Sequence, residues 1–183
     1  LPASAFHIPE KLEYELTWSG IKAGTSTLEL IEDGKNVRII SSAKSADWVT
    51  VFYTVDDRIE ATLIKTTGTP FLGKPSNYRI KLREGKNRRD KEIVFKPESN
   101  KALYIDHLSN ERHESDLPAF ILDPLSGFYY IRMLELVVGK PVYITIFDSK
   151  RVWEVEVQVL RKERVTLYSG AVANTIVIRP LMQ

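Results

Sequence analysis

Three observations place this chain in the all-β class. Short runs alternate apolar and polar residues at every second position, tight turns rich in Gly, Asn and Asp separate them, and only one segment shows clear helical spacing. The expected architecture is an antiparallel β-sandwich or partly open barrel of about ten strands, with one helix inserted over 123–136. With 183 residues, 43% hydrophobic and 27% charged, residues 1–183 read as a single domain. Lys plus Arg (26) against Asp plus Glu (24) leave a charge of +2, so composition gives no reason to expect a nucleic-acid partner. No run approaches the ~18 apolar residues of a membrane helix, so no transmembrane segment is expected. Cysteine is absent, which removes disulfides, thiol nucleophiles and cysteine-ligated zinc.

The chain opens with Ala3-Ser4-Ala5, whose small-x-small form fits either the remnant of an export signal or an ordinary chain end. From Leu12, one face carries Leu12, Tyr14, Leu16 and Trp18 and the other Glu13, Glu15 and Thr17, the pattern of a half-buried strand. Turns at Ser19-Gly20 and Glu32-Asp33-Gly34-Lys35 then join strands from Ala23 to Ile31 and through Val37 and Ile39. Such short connections make an antiparallel meander. Trp48, Val51 and Phe52 shift to helical spacing and predict a short helix over one end of the sheet. Strand period returns at Val55, Ile59, Ala61 and Leu63, with Asp57 in step on the inward side.

Lys65 to Ser76 holds Gly68, Pro70, Gly73 and Pro75 and reads as an irregular connection. A hairpin follows, Tyr78, Ile80 and Leu82 leading to a turn at Glu84-Gly85-Lys86-Asn87 and back through Ile93 and Phe95. It has one basic face, and the segment from Arg79 to Glu92 counts seven basic residues, Arg79, Lys81, Arg83, Lys86, Arg88, Arg89 and Lys91, against the three acids Glu84, Asp90 and Glu92. Leu103 to Ile105 is a strand, and the polar stretch Asp106 to Asp116 reads as a surface excursion or a hairpin tip. After the helix, Val142 to Asp148 has the composition of a strand buried on both faces, and Trp153 to Val159 alternates as its return strand. Val165 to Leu167 and Thr175 to Ile178 close the chain as two further strands.

The helix has explicit signals. Asp123 is a good N-cap, placed to accept the N–H of Leu125 or Ser126, and Pro124 at the first helical position needs no N–H. Leu125, Phe128, Tyr129, Met133 and Leu136 make an apolar stripe on which Arg132 also falls. A guanidinium there needs a partner, and Asp57 is the expected one. The alternative use of Arg132 is to bind an anionic ligand, a carboxylate, phosphate or sugar acid beside the helix.

Other chemistry is weaker. His107, His113, Asp106, Glu111, Glu114 and Asp116 match no metal-ligand spacing, so no metal or cofactor is expected. Ser126 lacks a nucleophile elbow and reads as a first-turn helix residue. Asp56 and Glu60 alternate away from Asp57, which splits the one carboxylate cluster that suggests glycosidase chemistry. The basic hairpin, through Arg79, Lys81, Arg83 and Arg88, is a candidate polyanion surface as well as an ordinary solvated strand face. Trp18, Trp48, Tyr53 and Trp153 read as core aromatics.

Glu10-Lys11-Leu12-Glu13-Tyr14, Trp18 to Gly24, Val55 to Glu60, Leu82 to Gly85, Asp123 to Ser126 with Tyr129 to Arg132, and Phe147-Asp148, in this order and spacing, resemble a family of exported bacterial proteins classed only as a domain of unknown function. The resemblance implies a periplasmic or secreted Gram-negative protein made with a signal peptide, an all-β arrangement similar to the YmcC-like fold, and further strands beyond Arg179-Pro180. It implies no established activity. The expected function is therefore a non-catalytic, monomeric cell-envelope module that binds a lipid, glycan or protein partner, through Arg132 and Asp57 or through the basic hairpin. The alternative is a hydrolase or lyase acting on envelope polysaccharide.

Overall fold

The computed structural model describes residues 7–66 and 71–182; Ala3-Ser4-Ala5, Gly68 and Pro70 lie outside them. Eight strands follow one another as an antiparallel meander: β1 (Glu10–Trp18), β2 (Ile21–Asp33), β3 (Asn36–Ser45), β4 (Asp56–Ile64), β5 (Lys74–Glu84), β6 (Asn87–Lys96), β7 (Lys101–Asp106) and β8 (Glu111–Asp116). A helical turn α1 (Asp47–Thr50) interrupts the run after β3, where a short helix is predicted. Helix α2 (Pro124–Ile131) comes next, and β9 (Val142–Asp148), β10 (Arg151–Thr166) and β11 (Val172–Met182) form a second sheet in the order β11-β10-β9. The chain is all-β and the large sheet is not closed, because β1 and β8 are both edges.

Register explains the core. Leu30, Ile39, Ala61, Tyr78, Ile93 and Tyr104 stand opposite one another on successive strands and are all buried, so they form one inward row. The next outward row, Glu60, Arg79 and Glu92, is charged. A flat sheet of this width would span ~34 Å at the usual strand spacing, whereas α2 is only ~12 Å long. Elements inside nevertheless reach both edges: Arg132 at the end of α2 pairs with Glu10 of β1, and Lys150 in the β9–β10 turn pairs with Glu111 of β8. The sheet therefore curls around α2 and β9.

Helix α2 begins as its sequence dictates. The Asp123 carboxylate accepts from the N–H groups of Leu125 (3.0 Å) and Ser126 (2.8 Å), with Pro124 next in the chain. It ends earlier than predicted, at Ile131, and continues only as tight turns in which Met133 N–H bonds Tyr130 O and Leu134 N–H bonds Ile131 O. The predicted stripe is also only partly buried. Tyr129 is enclosed, but Phe128 is exposed, and Ser126, Gly127 and Ile131 are buried in its stead. The helix is covered from two sides: the large sheet meets one, and β9 approaches the other at Gly127, where a Cβ would lie 3.1 Å from Ile146 and 3.2 Å from Ile144. Leu122 extends β9 by a parallel bridge to Ile146, and Ile146 and Phe147 are both buried, so the strand is covered on both faces at this end, whereas Tyr143 nearer its start is exposed.

Two regions sharpen or correct expectation. Asp106 to Asp116 is the hairpin tip of the two readings, the end of β7 turning into the edge strand β8, whose polar side chains suit an unpaired edge. Val165 to Leu167 is no separate strand; β10 runs on to Thr166 through a register shift near Leu160 and forms with β11 a ribbon whose far half is exposed.

Candidate functional site

Arg132 and Asp57, paired in the sequence reading, do not meet. Arg132 donates both terminal nitrogens to Glu10 (2.7 and 2.8 Å), a bidentate pair, and lies over the Tyr129 ring at 4.9 Å. Burial, and then the Glu10 carboxylate, push the Tyr129 hydroxyl up to about 12. The Asp57 carboxylate accepts from the Arg83 backbone N–H (3.0 Å). Glu10 stands opposite Leu30 and shares the inward face of β1 with Leu12, so it meets the same in-step criterion that selected Asp57. What decides between them is distance along the curled sheet, which sequence alone does not carry.

The basic hairpin is only partly free. Arg79 forms ion pairs with Asp90 and Glu92 across the β5–β6 register, and Glu92 also accepts from Asn77 and contacts His107 at 2.8 Å. Burial pushes the Glu92 carboxyl up, but the hydrogen bonds from Asn77 and His107 and the charge of Arg79 outweigh it and hold the group below its usual range. Arg58 and Arg38 share Glu60. Asp56, beside Lys44, and Glu60 share the outward face of β4 while Asp57 lies on the inward one, so this cluster splits as expected. Beyond Arg79 the neutralisation stops. Lys81 and Arg83 face outward without an ion pair among the described residues, and Arg88 donates to the carbonyls of Gly85 and Asn87 (both 2.8 Å).

Asp123 and Ser126 are wholly buried, and the Ser126 hydroxyl donates to the Asp123 carboxylate at 2.5 Å. This hydroxyl, in the first turn of α2, supports the carboxylate that caps the helix and meets no histidine, consistent with a structural serine. Desolvation raises the Asp123 carboxyl to about 6 despite these hydrogen bonds. Among the described residues no three His, Asp or Glu side chains gather as a metal site would require, and no helix is long and apolar enough to cross a membrane.

A concavity lies at the rim of the sheet, where β5 starts, β6 ends, β7 starts and the chain from Leu117 to Ile121 crosses toward α2. It has a volume of roughly 260 Å³ and an apolar lining that includes Pro75, Phe95, Pro118 and Phe120. Lys74, Lys96 and Lys101 stand around it. Glu114 of β8 accepts from Lys101 (2.8 Å) and Lys96 (3.0 Å), which hold its carboxyl down to about 2. Lys74 has no ion pair among the described residues. Sequence reading missed this site, and its only local signal was the pair of proline-bearing connections at Pro97 and Pro118.

The aromatic prediction holds for Trp153, which packs against the core, and is overturned at the opposite end of the β5–β6 hairpin. There Trp18 (67% exposed), Trp48 and Tyr53 are exposed.

The sequence profile described as "Protein of unknown function (DUF3108)" matches residues 13–183. Searches of curated proteins and of solved structures find no match.

Proposed function

For a chain that belongs to the DUF3108 family, a family without an assigned function, we propose the role of an exported, non-catalytic cell-envelope module that binds a lipid. Its ligand is an amphiphile with an acyl chain and an acidic head. The observation that carries this reading is the apolar rim pocket with lysines around it. An acyl chain gains by leaving water for the surfaces of Phe95, Pro75 and Phe120. An acidic head then completes the charge of Lys74, since Lys96 and Lys101 already share Glu114. The periplasmic or secreted location rests on the Ala3-Ser4-Ala5 pattern and the ordered motifs of the family, and fractionation of cells carrying the natural gene tests it.

Binding is tested by native mass spectrometry of protein purified without denaturant, followed by titration with oleate. A co-purifying lipid mass, or a saturable oleate adduct, is expected. Ala119→Trp fills the pocket from an exposed lining position and should remove that adduct, and Lys74→Glu should weaken it by about tenfold. A clean protein mass with no oleate adduct, or binding unchanged by Ala119→Trp, sinks the proposal.

A further inference from the structure

The segment from Ala46 to Val55 is held at four points. Ala46 N–H bonds Ala23 O (2.8 Å), the Trp48 indole N–H bonds Lys22 O (2.8 Å), Gly85 N–H bonds Thr54 O (2.7 Å), and Val55 bridges Glu84. Trp48 also stacks on Trp18, with centroids 6.4 Å apart and planes 7° from parallel. The Tyr53 ring packs against Gly85, where a Cβ would come within 2.7 Å of it. What this fixed scaffold presents outward is apolar: Val51 is 78% exposed and Phe52 85%, beside Trp18 and Ile21 at the β1–β2 turn. Exposed apolar side chains on a pinned support differ from those of a loose chain end, because they are presented as a fixed surface.

The tip of the β5–β6 hairpin, joined to that scaffold through Gly85 and Glu84, is basic. Among the acids at this end, Glu15 and Asp56 lie near Lys22 and Lys44, and Asp57 accepts from the Arg83 N–H. Asp90, opposite Lys81 in register, is paired with Arg79, and Glu84 and Asp47 remain against Lys81, Arg83, Lys86, Arg88 and Arg89. Arg83 and Arg88 are also directly opposite in register, a like-charged pair that weakens a hairpin unless an anion lies across it.

We propose that this end of the molecule docks on an anionic lipid bilayer, with Trp18, Ile21, Val51 and Phe52 entering the interface and the hairpin-tip cations meeting lipid phosphates. Aromatic and apolar side chains beside a cluster of Lys and Arg are what the headgroup region of such a bilayer accepts, apolar groups sinking to the acyl boundary and cations staying at the phosphates. The charge selects the occupant. A second copy of this chain would set one basic tip against another, and a soluble polyanion would leave Phe52 in water. The surface is distinct from the rim pocket: it lies at the other end of β5, about 33 Å away along an eleven-residue strand.

Flotation with vesicles of phosphatidylcholine alone, and of an equal mixture of phosphatidylcholine and phosphatidylglycerol, tests the proposal, with tryptophan emission read in parallel. The full chain should float with the mixed vesicles, release as salt is raised, and show a blue shift from Trp18 and Trp48. Phe52→Ser should weaken binding by roughly tenfold. Arg83→Glu with Arg88→Glu should remove the preference for phosphatidylglycerol, each lost cation contributing about fivefold. Ala119→Trp should bind vesicles like the parent, which separates this result from the fate of the pocket. Equal binding to both vesicle types, no binding to either, or unchanged binding by Phe52→Ser would overturn the proposal, as would self-association that buries the tryptophans without vesicles.

Discussion

The two ends of the curled sheet are built from the same alternation and finish differently. At the α2 end, the inward rows of β2 to β7 are closed by the helix and by β9, and their side chains are buried down to Leu30, Ile39 and Leu63. At the α1 end, the same inward face of β1 continues through Tyr14, Leu16 and Trp18, which stay exposed although the Trp48 ring stacks on Trp18. Period-two alternation therefore specifies which face is apolar and leaves open whether that face is covered. Cover comes from elements distant in sequence. In this chain those are the eight residues of α2 and the strands β9 and β10, whose buried side chains join the core with Leu30, Ile39 and Leu63.

If the α2 end is a closed interior, the largest effect should come from charge inside it. The Asp123 carboxyl titrates near 6 in the fold and near 3.9 when unfolded. Because the folded value is raised, the folded state holds the proton more tightly. Its stabilising contribution is complete below about pH 3.9 and is lost as pH rises through about 6. Asp123→Asn keeps an oxygen for the cap and an N–H for Ser126 while removing the charge. Relative to the parent, its stability should rise between about pH 4 and pH 7 by on the order of 3 kcal/mol, read from denaturant midpoints. Parallel curves for the two proteins would mean that water reaches Asp123 and the end is not closed. Next in size, Gly127→Val presses new methyls on Ile144 and Ile146 and should cost about 2 kcal/mol.

Arg132→Ala should cost less, about 1–2 kcal/mol, because the pair with Glu10 is only partly shielded. A double-mutant cycle with Glu10→Ala should recover most of that as coupling, and a cycle with Asp57→Ala almost none. That contrast shows how far the sequence could be read. The cap at Asp123, the meander and the strand class were legible because each depends on neighbours a few residues away. Glu10 and Asp57 both carried the right local signal, a carboxylate in step with an apolar strand face, and curvature alone brought Glu10 to the helix end. The rim pocket was illegible for the same reason, since Gly73 to Pro75, Phe95 to Pro97 and Leu117 to Ile121 converge only after the sheet has formed. The basic hairpin was half legible: its cations were counted correctly, and register then assigned Asp90 and Glu92 to Arg79 while leaving Arg83 opposite Arg88.

The smallest expected effect carries the comparison furthest. Phe52→Ser, at a side chain 85% exposed, should leave the denaturation midpoint within about 0.5 kcal/mol of the parent, although a phenylalanine in a core costs about 3–5 kcal/mol when truncated. A loss above 1 kcal/mol would mean that Phe52 packs against protein in solution, and the α1 end would then be a second interior. A null effect on folding combined with a tenfold effect on vesicle binding leaves one account of why so large an apolar side chain stands there. The residue is then held outward by the hydrogen bonds of Ala46, Trp48 and Gly85, and its stabilising contacts form only at the membrane surface.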